Sequence, residues 1–147
     1  YPGIGEWHDR LAQEALKYKV VSLPSGREYR FPYVKRTARG ITHGTSVKNY
    51  PVQGFATADL LPSALVLTFE EFKKKKLKSL LCNTVHDSIV VDVHPDEEDQ
   101  VIEIVKECML SIPQQAKRRW GIEYDMPVGI EIKIGSNWLD TKEIFSN

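Results

Sequence analysis

The stretch Asn83-Thr-Val-His-Asp-Ser-Ile-Val-Val-Asp92, NTVHDSIVVD, sets a His86-Asp87 pair between two apolar, β-branched runs. Leu77 to Val85 and Ser88 to Val93 read as the two limbs of a β-hairpin, with the ionisable pair at its tip. His86, Asp87 and Ser88 are the three residue types of a hydrolase triad, but neighbours in sequence project in different directions and cannot line up as nucleophile, base and orienter. A metal cluster of Cys82, His86 and His94 matches no common zinc spacing. Position alone favours a turn in which Asp87 bonds local backbone amides. Against that stands the company it keeps. Leu80, Leu81, Val85, Ile89, Val90, Val91 and Val93 are expected to hold the tip rigidly on a core, as a carboxylate that binds a hard cation requires. One carboxylate is seldom enough for such a site.

Working outward, Trp7, Leu11, Ala15 and Leu16 recur at helical spacing and predict an amphipathic helix over residues 7–17, after the turn residues 2–5. "YKVVS" (18–22) and "REYRF" (27–31) flank Pro24-Ser25-Gly26 and predict a hairpin with a basic second limb. Pro32 to Lys48 has no period, carries Lys35, Arg36 and Arg39 among glycines, and reads as a mobile basic loop. Phe55, Ala58, Leu61, Leu65 and Phe69 keep an i, i+3, i+4 rhythm, with Pro62 marking a kink or a restart. The lysine run 73–76 reads as a solvated helix C-terminus favoured by the dipole rather than as a nucleic-acid patch. His94-Pro95-Asp96 opens a helix with an acidic first turn and an apolar face of Val101, Ile104, Val105, Cys108 and Met109. A shorter helix over residues 114–120 ends at Gly121, and Val128, Ile130, Ile132 and Ile134 alternate as a half-buried strand. These elements add up to an α+β fold, a small antiparallel sheet backed by helices.

At 147 residues, 41% hydrophobic and 27% charged, the chain has the size and composition of one ordinary globular domain or one piece of a larger one. It begins at Tyr1, so a cut or incomplete product is expected. No apolar run approaches the roughly 18 residues of a membrane span and the first twenty residues are too polar for a signal peptide, so no membrane partner and a cytoplasmic location are expected. Cys82 and Cys108 have no metal or disulfide spacing and read as two buried thiols. Net charge is zero, yet residues 1–50 hold nine Lys or Arg against four Asp or Glu. The basic part is where an anionic partner is expected.

Five blocks in order carry a resemblance. NTVHDSIVVD resembles the motif C hairpin of family A DNA polymerases, where Val-His-Asp precedes a further acid and an apolar strand. "YPGIGEWHDRL" is similar to the family's Pro-Gly-led helix after the fingers, "VVSLPSGREYRFP" to its Thr-Leu-Phe-Gly-Arg-Arg-Arg-Tyr segment, and "NYPVQGFATADLL" to Asn-x-Pro-Val-Gln-Gly-Thr-Ala-Ala-Asp. "VGIEIKIGSNWLDTKE" is similar to the closing strand, Gly and Trp of the palm. The wording "QGFATAD" looks more like the bacteriophage members.

The resemblance implies a C-terminal palm region, with residues 1–50 a basic segment leading into a palm core at 51–147. It implies Asp87 as a ligand of the catalytic Mg²⁺ ions and His86 as a contact of the primer end. Asn49 and Gln53 fall near the terminal base pair, where amides suit minor-groove acceptors shared by all base pairs. Arg27 falls near the nucleic-acid backbone, with Lys35, Arg36 and Arg39 as further phosphate contacts. The implied partners are primer-template DNA, deoxynucleoside triphosphates and an upstream segment or separate chain.

Two departures bear on this. Ser88 stands where the family has glutamate, and the motif A aspartate and motif B helix, upstream in the family, have no counterpart in these residues. Asp92, five residues along a strand, reads as a solvent-facing end and no replacement. Two-metal phosphoryl transfer needs carboxylates that bridge both ions, so the chain alone is expected to be inactive. The alternative from another class is a non-catalytic DNA-binding or assembly module derived from a palm.

Overall fold

The computed structural model describes residues 1–124 and 127–147. Two compact units follow each other along the chain, Tyr1–Asp59 and Leu60–Asn147.

In the first unit, α1 (Ile4–Tyr18) runs between left-handed residues, Gly3 at φ 92° and Lys19 at φ 61°. Its predicted stripe is the one that packs: Leu11 and Ala15 are buried with Val21, Phe31, Val34 and Val47, while Trp7 and Leu16 lie against them. Burial of each large aliphatic side chain in this cluster contributes roughly 1.5–3 kcal/mol. Strands β1 (Val20–Ser22) and β2 (Glu28–Arg30) pair antiparallel with Val21 opposite Tyr29. The expected mobile loop at 32–48 is instead ordered. β3 (Arg36–Thr37) and β4 (Gly40–Ile41) form a short hairpin, and α2 (Gly44–Gly54) begins within the same stretch. Val34 and Val47, at 1% and 0% exposure, anchor it from both sides. Two-residue strands are too short to carry a readable period.

A π-helical segment, Phe55–Leu60, follows α2, and α3 (Leu61–Lys75) follows that with Pro62 in its first turn. Pro62 lies inside a run that stays helical through Leu60, at φ −73° and ψ −53°, so it marks the passage from π to α geometry rather than a break, and the Ala58 carbonyl four residues before it accepts Arg27 instead. The helical run 44–75 contains an 18-residue window of mean hydropathy 1.3. That corrects the expectation that no stretch nears a membrane span in length and apolarity. Asp59, held by Arg27 in the middle of the run, is costly in lipid.

In the second unit, α3 ends in Lys73, Lys74 and Lys75 with Lys76 left-handed, as the dipole favours. β5 (Leu80–Val85) and β6 (Ser88–Asp92) pair antiparallel. A 3₁₀ turn (Pro95–Glu97), capped by His94, leads into α4 (Glu98–Leu110) and then α5 (Ile112–Trp120), which Gly121 ends at φ 69°. Phe72, Val101, Ile104 and Cys108 make the core, with Leu81, Val91 and Val93 of the hairpin packed on it. β7 (Glu131–Gly135) pairs with β8 (Thr141–Ser146). All strand pairing among the described residues is antiparallel, as four two-stranded ladders. The fold is α+β.

One thiol departs from expectation. Cys108 is buried, and burial pushes its pKa up, but Cys82 is exposed. Leu81 pairs with Val91 and Asn83 with Val90, so Cys82 is the extra residue of a β-bulge, and it faces solvent beside Leu81, which packs on the core.

Candidate nucleic-acid interface and carboxylate tip

The β5–β6 hairpin is held at its base. The Glu97 carboxylate accepts the backbone N–H of Lys78 at 2.9 Å, the N–H of Ser79 at 2.9 Å and the Ser79 hydroxyl at 2.7 Å. Ser79 Oγ in turn accepts the N–H of His94 at 2.9 Å, so one carboxylate and one buried serine tie the residues entering β5 to those leaving β6. These donors, Lys78 first, hold the Glu97 carboxyl below its ordinary value. Acidity in the first helical turn suggested a dipole role; nothing in the sequence signals this clamp.

At the other end, Val85 pairs with Ser88 across a two-residue turn, His86 and Asp87. His86 takes φ 54°, while Asp87 is not left-handed. A single positive φ at the first turn position is the pattern of a type II′ turn, where glycine is the usual occupant. The Ser88 hydroxyl donates to the Val85 carbonyl at 2.8 Å and closes the turn. Both tip side chains are exposed. The strands grip less than their composition suggests: Leu80 is 62% exposed, and Val85, Ile89 and Val90 are half-buried outside the core cluster. Rigidity comes from the base.

The tip alone does not make a divalent-cation site. Among the described residues no three His, Cys, Asp or Glu side chains come together as one. Asp87 offers one carboxylate, whereas Mg²⁺ demands about six oxygen ligands. The residues present do not by themselves fit a two-metal centre. Asp92 ends β6 exposed.

In the first unit, Asn49 and Gln53 are exposed on α2 four residues apart, hence on one face. Lys35, Arg36 and Arg39 are exposed on and beside the β3–β4 hairpin. Arg27 is engaged internally: its Nε and one terminal nitrogen donate to Asp59 Oδ1 at 3.0 and 2.9 Å, and the terminal nitrogen also reaches the Ala58 carbonyl at 3.1 Å. Ser25 Oγ donates to Asp59 Oδ2 at 2.6 Å. The turn before β2 is thereby bound to the π-helical segment. Asp59 raises the already high pKa of Arg27 further. His86 and Asp87 belong to the second unit, the amides and the basic hairpin to the first.

The chain is 30% identical over 145 residues to DNA polymerase I of Lactococcus lactis subsp. lactis, covering 97% of this chain and 15% of that protein. It is 32% identical over 138 residues to DNA polymerase I of Aquifex aeolicus, covering 94% and 21%. The chain thus spans about a fifth or less of these relatives. Among solved structures, the POL domain of Pol1 from M. smegmatis, in complex with DNA primer-template and dNTP, matches with a TM-score of 0.67 at 24% identity. The match covers 76% of this chain and 20% of that one, and it shows a shared fold. The family model for DNA polymerase family A matches residues 1–140. The chain belongs to DNA polymerase family A.

Proposed function

We propose that the chain is the C-terminal palm portion of a DNA-directed DNA polymerase, a nucleotidyltransferase that extends a primer along a template with deoxynucleoside triphosphates. The observation that carries this is the family match over residues 1–140 together with an exposed Asp87 at the tip of a base-clamped hairpin. Asp87 supplies one carboxylate to a two-Mg²⁺ centre whose remaining ligands come from polymerase segments outside these 147 residues, on the same or a separate polypeptide. His86 lies against the primer end. Asn49 and Gln53 present amides to the minor groove, and Lys35, Arg36 and Arg39 contact phosphate. Arg27 approaches the backbone only with whatever donor capacity Asp59 leaves it. The "QGFATAD" wording supports a bacteriophage type, acting in the cytoplasm where the genome is copied.

Primer extension with Mg²⁺ tests the reading. The 147-residue chain alone is expected to add no nucleotides, and robust synthesis by it would overturn the need for outside carboxylates. In a polymerase completed with the missing segments, Asp87→Asn is expected to abolish extension; near-normal activity would remove the metal-ligand assignment.

A second reading, a DNA-binding or assembly module without catalysis, is favoured by one observation. Ser88 stands in the glutamate position and commits its hydroxyl to the Val85 carbonyl. A completed polymerase that binds primer-template but extends it no faster than its Asp87→Asn variant would select this reading.

A further inference from the structure

We infer that Glu97 and Ser79 are positioning residues for the reaction: they fix the angle at which the β5–β6 hairpin leaves the second unit, and through that angle the place of the Asp87 carboxylate. The inference rests on the reading of Asp87 as a carboxylate of the reacting centre. Glu97 and Ser79 sit at the opposite end of the hairpin from the tip and act through it.

The clamp joins the hairpin to a fixed helix. Glu97 directly precedes α4, whose Val101, Ile104 and Cys108 lie in the core of the second unit. Its carboxylate receives the N–H groups of Lys78 and Ser79, the two residues that precede β5 and so lie outside the ladder. Ser79, 4% exposed, gives its hydroxyl proton to Glu97 and on the same oxygen accepts the N–H of His94, which follows the other limb. Both limbs thus end on one anion. Hydrogen bonds to an ionised acceptor are shorter than neutral ones and roughly twice as strong.

Beyond the clamp the hairpin is a cantilever. Its packing on the core cluster, through Leu81, Val91 and Val93, is confined to the clamp end. The bulge at Cys82 follows at once, and a bulge bends the strand that carries it. Further out, Asn83, Thr84, His86, Asp87 and Ser88 are exposed, while Val85 and Ile89 are half-buried. Among the described residues β5 and β6 pair with each other and with no third strand, so no neighbouring strand braces the tip from the side.

A cantilever magnifies error. At roughly 3.3 Å per residue β5 is about 20 Å long, so a tilt of about 3° at its base carries the tip about 1 Å. Reacting groups must be held within roughly 0.5 Å of the productive geometry, and a displacement of about 1 Å can cost on the order of a hundredfold in rate. A loosened clamp is therefore expressed as lost turnover while the ladder itself stays paired.

The test uses a polymerase completed with the missing segments, assayed well below the lowest unfolding midpoint of the set so that every variant is folded. Glu97→Gln and Ser79→Ala are each expected to lower the maximal rate of single-nucleotide addition about ten- to a hundredfold, with the half-saturating deoxynucleoside triphosphate concentration and the primer-template affinity near wild type. Ile104→Val, which loosens the core of the same unit away from the clamp, is expected to keep the wild-type rate. Hydrogen exchange on the same proteins gives a second readout. Glu97→Gln should deprotect the amides of Lys78, Ser79 and His94 while those of β5 and β6 stay within about twofold of wild type, the signature of a hairpin that tilts intact. Wild-type rates in both clamp variants, an equal loss in Ile104→Val, a loss confined to substrate affinity, or ladder amides that open together with the base would each overturn the inference. An inactive Asp87→Asn beside fully active clamp variants strikes the positioning role alone, whereas an Asp87→Asn that extends normally strikes the reading of Asp87 and the positioning role with it.

Discussion

Arg27 and Asp59, 32 positions apart, form a two-nitrogen contact at 3.0 and 2.9 Å in which the Asp59 side chain is only 8% exposed and that of Arg27 44%. Breaking such a pair costs more than the pair is worth, because the partner left behind keeps its desolvation without its hydrogen bonds. Asp59 is the more buried member, so Arg27→Ala should destabilise the first unit by about 1–3 kcal/mol. Asp59→Asn, which leaves an exposed guanidinium, should cost less. Urea unfolding of both single variants and the double variant measures the coupling; additive losses would mean that the pair contributes nothing beyond its separate contacts.

Gly54 ends α2 one residue after Gln53, against the hydroxyl end of Tyr29. A Cβ there would meet the Tyr29 hydroxyl, with Cζ at 2.7 Å. Tyr29 packs on the buried core of the first unit and has little room to retreat, so Gly54→Ala should cost about 1–3 kcal/mol by overpacking. The nearest atom is the hydroxyl, so Tyr29→Phe should recover part of that loss. Denaturant midpoints of the two single variants and the double variant check this; a double variant no better than Gly54→Ala would place the conflict elsewhere.

Glu97 predicts an acid response. Its carboxyl is held below the ordinary 4.5, chiefly by the Lys78 N–H and then by Ser79. A carboxyl whose folded pKa lies below its unfolded one stabilises the fold above the unfolded value and loses that contribution as pH falls through the folded one. Stability should therefore decline from about pH 4.5 downward. Glu97→Gln should be less stable at neutral pH and show a shallower decline in acid. Urea midpoints at neutral pH and below pH 4.5 separate the two chains; parallel declines would remove Glu97 as the cause.

What could be read in advance followed periodicity and punctuation. The stripe of α1, the acidic start of α4 and the two limbs around His86-Asp87 all announce themselves within a few residues. What could not be read depends on distant partners or on too few residues. β3 and β4 have two residues each, and β8 buries little besides a half-buried Phe145, so neither shows alternation. The Cys82 bulge exists only relative to Val90 and Val91 across the ladder. Arg27 looked like a free phosphate ligand because nothing near it in sequence names Asp59. The candidate site residues are named from residue types in order, through the family resemblance. Their mechanical support, Glu97 and Ser79 at the hairpin base, is not.

His86 sits where the turn asks for glycine. At φ 54° a side chain with a Cβ costs roughly 1–2 kcal/mol, and glycine relieves that at an entropic cost of roughly 0.5–1 kcal/mol. His86→Gly should thus stabilise the chain by about 0.5–1 kcal/mol, with His86→Ala no better than wild type because it keeps the Cβ. The imidazole is exposed and makes no hydrogen bond among the described residues, so its removal takes no packing with it. Thermal unfolding ranks the three chains, and a glycine variant less stable than wild type would show the turn to be unstrained. In a completed polymerase the same glycine variant should extend primers poorly despite its gain in stability.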